Sequence, residues 1–279
     1  TVQICTSYVL IFGHWGFPEL GVAGAAFGGF TGRAVSTLVG LTLLYSGRFS
    51  LKLLPSTSYR LNWALARRLL KIGVPSGIQG ILRNGSSLVY LKFIGMTALS
   101  TTAVAAYTIG NQMERILRSN GLAFGTTATA LVGQSLGARD PDAAERNGWM
   151  TLLIAVFTNV LLGVPAILFA RQFMGLFTDA PGVIDIGVVY VLAVVLAEPF
   201  ITAANASGGG LQGAGATMPP MYYTLISQWF VRLPVAYVLA FPLGYGINGI
   251  WVALVVYGAL QAVLTVRKFG KGEWKTEVI

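Results

Sequence analysis

Seven long apolar stretches constrain what this chain can fold into more than any other feature of its sequence. A helix needs about 20 apolar residues to cross the hydrocarbon core of a bilayer. With 10% charged residues and a mean hydropathy of +0.68, the chain has too little polar surface to face water alone. The sequence therefore predicts an all-α integral membrane protein, a polytopic helical bundle. The stretches cover roughly residues 20–46, 72–94, 99–133, 144–169, 183–208, 218–242 and 247–267.

The third stretch, 99–133, is long for one span, and its middle is polar from Asn111 to Arg115. The apolar pieces on either side are each too short to cross alone. We therefore predict one long helix, bent near Gly121, with its polar part facing a cavity. This choice also places the basic segment 47–71, the loop after residue 133 and the basic tail on one side of the membrane.

The positive-inside rule assigns that basic side to the cytoplasm. We predict a multi-pass protein of the cell (inner) membrane, in which residues 47–71 form a cytoplasmic linker and residues 268–279 a cytoplasmic tail. Within the linker, residues 63–71 are predicted to form a short amphipathic helix on the inner surface. The net charge of +9 is explained by this orientation, so we expect no nucleic-acid partner.

Several chemistries have no support in the sequence. Cys5 and His14 are the single residues of their types, so an internal disulfide and a paired-histidine metal site are excluded. Residues 208–213 fit G-x-G-x-x-G, but the motif ends an apolar stretch instead of following a strand, and no phosphate-binding G-x-x-x-x-G-K-[ST] loop is present. We expect no enzymatic activity and no cofactor, and a lipid bilayer and a small molecule as partners.

Glycines recur at the four-residue spacing that lets helices approach closely in lipid. Gly24, Gly28 and Gly32 form a double motif, for which close packing is predicted. The same spacing recurs at the pairs 73/77, 121/125 and 133/137. An internal repeat is also visible, because Phe-Pro precedes a G-x-x-G segment at residues 17–24 and again at 241–249. Transporters are often built from duplicated bundles of this kind.

Charged groups inside a bilayer are costly and mark candidate functional sites. Glu114 and Arg118 are four residues apart on one helical face, in the orientation that favours an ion pair. Two hypotheses stay open: Glu114 is half of a structural pair, or it is a site that takes up and releases a proton. Arg115, which lies next to it, and Arg118 would keep Glu114 ionised.

Glu198 lies before Pro199 in an apolar stretch, and Asn205 follows two turns later. We favour a cavity-facing role for Glu198, with a structural pair to Arg232 or Arg33 as the alternative.

A polar stripe precedes these residues in the stretch 72–94, which glycines and a proline interrupt. It is either a broken helix that exposes binding groups or a kink that neighbouring helices satisfy. The candidate ion or substrate pathway thus consists of Glu114, Glu198, Arg83, Arg115, Arg118, Gln79, Asn84, Asn111 and Asn205.

Short motifs in register give the chain a resemblance to the MATE family, the multidrug and toxic compound extrusion transporters. Residues 10–26, LIFGHWGFPELGVAGAA, resemble the family's passage from helix five to helix six. VGQSLGA at 132–138 resembles its motif at the inner end of helix eight, and LQGAGAT at 211–217 resembles its loop after helix ten. RLP at 232–234 and GIW at 249–251 resemble helices eleven and twelve.

The resemblance implies twelve helices in two six-helix lobes around a central cavity. On that pattern residues 1–46 hold part of helix five and helix six, residues 72–267 form the complete C-terminal lobe, and the missing N-terminal helices are a further partner. The implied function is cation-coupled antiport, with H+ or Na+ entering as amphipathic, mostly cationic compounds leave. A flippase or exporter of anionic or lipid-linked substrates from the same superfamily is the alternative, because arginines outnumber acids in the predicted spans.

The chain departs from the family at its best-known coupling positions. Arg83 stands where helix seven often carries glutamate, and Ile201 where some members carry aspartate in helix ten. Gln212 and Ala216 replace the usual Arg and Asp of the loop after helix ten. The coupling ion therefore does not follow from the resemblance.

Overall fold

The computed structural model describes residues 2–16, 18–46 and 62–276, in which all regular secondary structure is helical. The predicted all-α class is confirmed. The chain divides into two compact units, Thr1–Asn62 and Trp63–Ile279. Residues 47–61 of the predicted basic linker lie outside the described residues.

The first unit is a helical hairpin of α1 (Val2–Phe12) and α2 (Gly21–Tyr45), joined through a 3-10 turn at His14–Gly16. The glycines of the double motif all face α1. A Cβ atom added to Gly24 would lie 2.6 Å from the carbonyl carbon of Leu10, and one added to Gly32 would lie 2.7 Å from Cβ of Gln3. The predicted close packing at this motif is confirmed, since no larger residue fits there.

The second unit contains the remaining described helices, and each of the predicted apolar stretches within it is helical. A seven-residue π-helix, Ile226–Arg232, joins α8 to α9 without interruption. The other bounds are α3 (Trp63–Gly95), α4 (Ser100–Gly137), α5 (Pro141–Leu168), α6 (Ala170–Gly175), α7 (Pro181–Gly213), α8 (Met218–Leu225), α9 (Leu233–Ala240) and α10 (Gly246–Gly270).

Four described helices, α2, α5, α7 and α10, are long and apolar enough to cross a membrane. Helices α3 and α4 are also long enough, with 33 and 38 residues, but they carry more polar side chains. Large apolar side chains such as Leu153 and Leu161 are exposed on the outside of α5. An apolar exterior around polar helices is the arrangement expected of a bundle in lipid.

Helix α3 differs from prediction in two ways. It begins at Trp63 and continues through Lys71, so the separate surface helix predicted for residues 63–71 is wrong. It also runs through Pro75 as one helix, because a single proline removes only one backbone donor. The broken helix hypothesis is therefore wrong. Cβ atoms added to Gly73 or Gly77 would meet no described atom within 4 Å, so the four-residue spacing at this pair does not mark a close helix contact among the described residues.

Helix α4 is one continuous helix, as predicted, and its glycines pack against α7. A Cβ atom on Gly209 would overlap the backbone of Gly125, and one on Gly213 would lie 3.0 Å from Cα of Thr129. The hydroxyl of Thr129 donates a hydrogen bond of 2.9 Å to the carbonyl of Gly209. The two backbones are thus in direct contact, which glycine permits and larger residues prevent.

The C-terminal segment packs at the end of the unit where α4 turns into α5. The buried ring of Trp274 stacks on Phe269 at 5.0 Å and packs with Val132. Lys275 lies 2.6 Å from the carboxylate of Glu145. Hydrogen bonding to Glu145 raises the pKa of Lys275 above its ordinary value, because the carboxylate stabilises the ammonium form. The basic tail and the α4–α5 turn therefore share one end, as a single α4 helix requires.

The internal repeat has the same local structure in both copies. Gly21 begins α2 with φ +51°, and Gly246 begins α10 with φ +55°. Residues other than glycine rarely adopt this backbone conformation. Three residues later, Gly24 contacts α1 and Gly249 contacts the end of α9. Gly24 thus allows α1 and α2 to pack closely, and Gly249 does the same for α9 and α10.

The α4–α7 contact is tested by comparing the stability of alanine variants at two glycines, Gly209 in the contact and Gly77 outside it. We expect Gly209→Ala to lower the free energy of unfolding by about 1–3 kcal/mol, because the added methyl group forces two packed backbones apart. The measurement is the thermal unfolding midpoint of the protein in detergent. Gly77→Ala is the control, since no described atom lies within 4 Å of a Cβ atom placed there and alanine favours the helix. Equal midpoints for the two variants would contradict the packing described.

Candidate functional site

Two buried carboxylates in the second unit share one arginine. Glu114 on α4 is 2% exposed, and Glu198 on α7 is 1% exposed. Arg118, one turn after Glu114, forms the predicted ion pair with it. Arg118 Nε also lies 3.8 Å from Glu198 Oε1. The guanidinium therefore lies between acids from two helices, and the alternative in which Glu198 pairs with Arg232 is not what the structure shows.

The crossing of α4 and α7 brings these residues together. The hydroxyl of Tyr190, on α7, donates a hydrogen bond to the carboxylate of Glu114. The ring of Tyr190 packs on Gly110, where a Cβ atom would lie 3.0 Å from Cε1. Glu114, Gly110 and Gly121 fall on one face of α4, because their spacings of four and seven residues match the helical repeat. The face that allows close approach is therefore the face that carries the acid.

Glu198 is less well satisfied than Glu114. Neither of its carboxylate oxygens has a hydrogen-bond partner among the described residues, and Arg118 is a counter-charge at some distance. Burial of a charge without hydrogen bonds is costly. Thr202, one turn later on α7, also has a buried hydroxyl oxygen without a partner in the part of the chain that the structure describes. Glu198 and Thr202 thus place buried oxygen atoms one turn apart that no described donor satisfies.

A second buried arginine is held by aromatic rings. Arg232, at the end of the π-helix, lies 3.8 Å from the ring centroid of Tyr90 and 4.9 Å from that of Tyr257. A guanidinium over an aromatic face is attracted by the ring quadrupole, most strongly where water is excluded. Its Nε has no hydrogen-bond partner within the described ranges. The wider turn of the π-helix, a feature common at functional sites, places Gln228 on the same buried side.

A polar cavity of about 370 Å³ lies beside these groups, between α3, α4, α7, α8 and α10. Hydrogen bonds order one of its walls: Gln212 donates to Gln79 at 2.9 Å, and Gln79 donates to Thr224 at 3.0 Å. Gln261 also donates to Thr224, at 3.3 Å. The polar side chains in its lining are Ser76, Gln79, Arg83, Thr126, Thr129, Asn205, Gln212, Gln261 and Thr265.

A narrow extension of about 30 Å³ leads from this cavity toward the buried charges. It shares Gln79, Arg83 and Asn205 with the main cavity and is lined further in by Arg118 and Arg232. No carboxylate is among the described residues that line either space. The acids thus lie behind Arg118, and the arginines face the open volume.

The structure brings together most of the predicted pathway residues but not all of them. Gln79, Arg83, Asn205 and Arg118 line the cavity or its extension, with Glu114 and Glu198 behind. The others lie elsewhere: Asn84 and Arg115 are exposed outside the cavity lining, and Asn111 is half-buried outside it.

Sequence reasoning missed several residues of the site. Tyr190 and Tyr257 are two of them, since buried tyrosines in an apolar helix give no sign of their partners. Gln228 and Gln261 are two more, although a glutamine inside an apolar stretch is itself a signal of internal hydrogen bonding. Gln228 accepts a hydrogen bond of 2.5 Å from Ser86.

Long apolar helices around an internal polar cavity define a polytopic helical membrane protein with a binding site inside the bundle. Comparison with known proteins gives the family. The MatE family model matches residues 75–238. The chain is 28% identical, over 98% of its length, to the Uncharacterized transporter YisQ of Bacillus subtilis. It is 27% identical, over its whole length, to the Probable multidrug resistance protein NorM of Thermotoga maritima.

The chain belongs to the MatE family, and the resemblance seen in its motifs is confirmed. The first of these relatives is named as a transporter and the second as a probable multidrug resistance protein, and the chain spans 59% of the length of each. The crystal structure of the eukaryotic MATE transporter AtDTX14 has the same fold, with a TM-score of 0.86 at 21% identity over 98% of this chain and 60% of that one.

The bond between Tyr190 and Glu114 is testable by removing one oxygen atom. We expect Tyr190→Phe to lower the free energy of unfolding by about 1–3 kcal/mol, because Glu114 loses a buried donor. Thermal unfolding in detergent measures the change. Tyr222→Phe is the matched control, since Tyr222 is exposed. A loss of the same size in both variants would show that the hydroxyl of Tyr190 has no special role.

Proposed function

We propose that this protein is a secondary active transporter, a cation-coupled antiporter that exports amphipathic, mostly cationic drugs or metabolites. The observation that carries the proposal is the arginine shared between two buried carboxylates beside a polar cavity. The family supplies the transport function, and the name of the NorM relative supports multidrug export. The bilayer and a small-molecule substrate are the proposed partners, and H+ or Na+ is the coupling ion.

The coupling step follows from the charges. Glu198 has no hydrogen-bond donor among the described residues and one counter-charge, Arg118, at 3.8 Å. When Glu198 takes up H+ or Na+, the charge of Arg118 is less compensated on the side that faces the cavity. A cationic substrate is then repelled and leaves. Antiport requires that the ion and the substrate do not bind at the same time. Each ligand then shifts the conformational equilibrium through its own binding free energy.

We propose a multi-pass protein of the cell (inner) membrane, oriented by its charges. The C-terminal segment packs at the end of the second unit where α4 turns into α5. That end carries a group of basic residues, and the positive-inside rule assigns it to the cytoplasm. The described basic residues there are Arg139, Arg146, Arg267, Lys268, Lys271 and Lys275.

A second candidate is an exporter or flippase of anionic or lipid-linked substrates from the same superfamily. The observation in its favour is that Arg83, Arg118 and Arg232 line the narrow extension, with no carboxylate among its described lining residues.

The antiport proposal is tested in proteoliposomes that contain the complete protein to which this chain belongs. A pH gradient and, separately, a Na+ gradient are imposed, and the movement of a fluorescent organic cation is followed. We expect one gradient to drive the dye, and Glu198→Gln to reduce that gradient-driven transport at least tenfold, because an amide takes up no proton near neutral pH and, without a negative charge, binds Na+ more weakly than a carboxylate does.

Asp185→Asn is the control for that experiment, since Asp185 is exposed and pairs with Arg171 on the surface. Gradient-driven transport that is unchanged in Glu198→Gln would remove Glu198 from the coupling step. A wild-type protein that moves the dye under neither gradient would favour the second candidate.

Orientation is tested with cysteines placed in a Cys5→Ser background. We expect Arg139→Cys and Lys271→Cys to react with a membrane-impermeant maleimide from the cytoplasmic side only, because both lie at the basic end. Arg171→Cys, in α6 at the other end of α5, is expected to react from outside. Labelling of Arg139→Cys and Lys271→Cys from opposite sides would contradict the fold, and labelling of both from outside would reverse the orientation.

A further inference from the structure

The cavity of the second unit has the wrong charge for a site that binds only cations. Its narrow extension is lined by three arginines, Arg83, Arg118 and Arg232, and no Asp or Glu is among the described residues that line it or the main cavity. Even with Glu114 and Glu198 ionised behind Arg118, the arginines outnumber the acids by one.

The three arginines differ in the groups that surround their charges. Arg118 is paired with Glu114 and lies near Glu198. Arg232 is held between the rings of Tyr90 and Tyr257, although its Nε, on a side chain only 4% exposed, has no hydrogen-bond partner in the described part of the chain. Arg83 lines both spaces and has no carboxylate within 4.0 Å among the residues that the structure describes.

The groups around Arg83 are neutral hydrogen-bond donors. Gln79 is fixed by bonds to Gln212 and Thr224, and Gln261 is bonded to Thr224. The amide of Asn205 faces the same space from α7. Arg83 and Arg118 both line the narrow extension, so two like charges face the same small space. An anion between them would offset the repulsion of the two charges and accept a hydrogen bond from the amide of Asn205.

We propose that this cavity binds the anionic group of an amphipathic substrate, a carboxylate or a similar oxyanion, with Arg83 as its principal contact. A guanidinium binds a carboxylate through two parallel hydrogen bonds, which makes it selective for that shape. The volume of about 370 Å³ lies within the range of small-molecule sites. The inference rests on the transport function proposed above and, among amphipathic compounds, favours those that carry an anionic group, zwitterionic or acidic, over purely cationic ones.

The test uses one fluorophore in two charge states: a rhodamine that keeps its free carboxylate, and the methyl ester of the same rhodamine. Both carry the same cationic ring system, so they differ at the anionic group alone. Transport of each dye is measured in proteoliposomes of the complete protein, as a function of dye concentration. We expect Arg83→Gln to raise the half-saturating concentration of the carboxylate dye about tenfold or more, the usual effect of removing a charged hydrogen-bond partner.

The ester dye provides the internal control. We expect its transport not to fall in Arg83→Gln, because removing a positive charge from the cavity does not weaken binding of a cation, and continued transport of the ester also shows that the variant is folded. Arg115→Gln is the matched variant, because Arg115 is an exposed arginine of α4 outside the cavity lining, and neither dye should be affected. Equal losses for both dyes in Arg83→Gln, or no loss for the carboxylate dye, would overturn the inference.

A binding measurement separates failure of the anion site from failure of the proposed transport function. If the wild-type protein moves neither dye under a gradient, binding is measured in detergent by fluorescence anisotropy. Weaker binding of the carboxylate dye in Arg83→Gln, without weaker binding of the ester, then supports the anion site, and no difference between the wild-type protein and the variant overturns it.

A lipid headgroup is the other source of such an anion. Movement of a phosphatidylglycerol with a fluorescent tail across the liposome membrane, lost in Arg83→Gln, would assign the site to a lipid headgroup. No movement of that lipid, together with Arg83-dependent transport of the carboxylate dye, would assign it to a free amphipathic anion.

Discussion

The direct backbone contact between α4 and α7 is the constraint on which the rest of the second unit depends. Lipid gives helices no hydrophobic reason to associate, so close approach and internal hydrogen bonds must hold them together. Gly125 and Gly209 provide the approach, and the bond from Tyr190 to Glu114 adds to it. The same contact sets the distance between Glu114 and Glu198, so that one arginine serves both. Packing and electrostatics are therefore fixed by one helix crossing.

Much of this could be predicted from the sequence, where the signal is local. The apolar stretches predicted the helices because the length of a span is set by the bilayer. The polar middle of α4 was correctly placed inside one helix, since neither flanking piece is long enough to cross. The pair of Glu114 and Arg118 follows from their spacing on one helix. Close packing at Gly24, Gly28 and Gly32 was also predicted correctly, because the partner helix α1 directly precedes this motif in the chain.

The contacts that could not be predicted depend on which helix, distant in the chain, packs against a given residue. The spacing of residues within one helix does not determine its partner helix. The glycine pairs 73/77 and 121/125 look alike in sequence, yet only the second is crossed by another described helix. Arg118 reaches Glu198 because of how α7 is rotated against α4, and Arg232 meets Tyr90 because a π-helix intervenes. Helix α3 continues from Trp63 through Pro75, where glycine and proline favoured an interruption. In each case tertiary contacts override a local preference.

The π-helix that carries Gln228 and Arg232 also has an evolutionary consequence. A π turn contains one residue more than an α turn, and each residue of an α-helix rotates the next by about 100°. Deletion of a single residue from Ile226–Arg232 would let the segment form an α-helix with little change in the rotation of the helix after it, because the residue removed is the extra one of the wide turn. The wide turn is therefore a local feature that one inserted or deleted residue adds or removes, while the helix on either side keeps its packing. Related transporters thus have a short genetic route to a different arrangement of polar side chains at this turn.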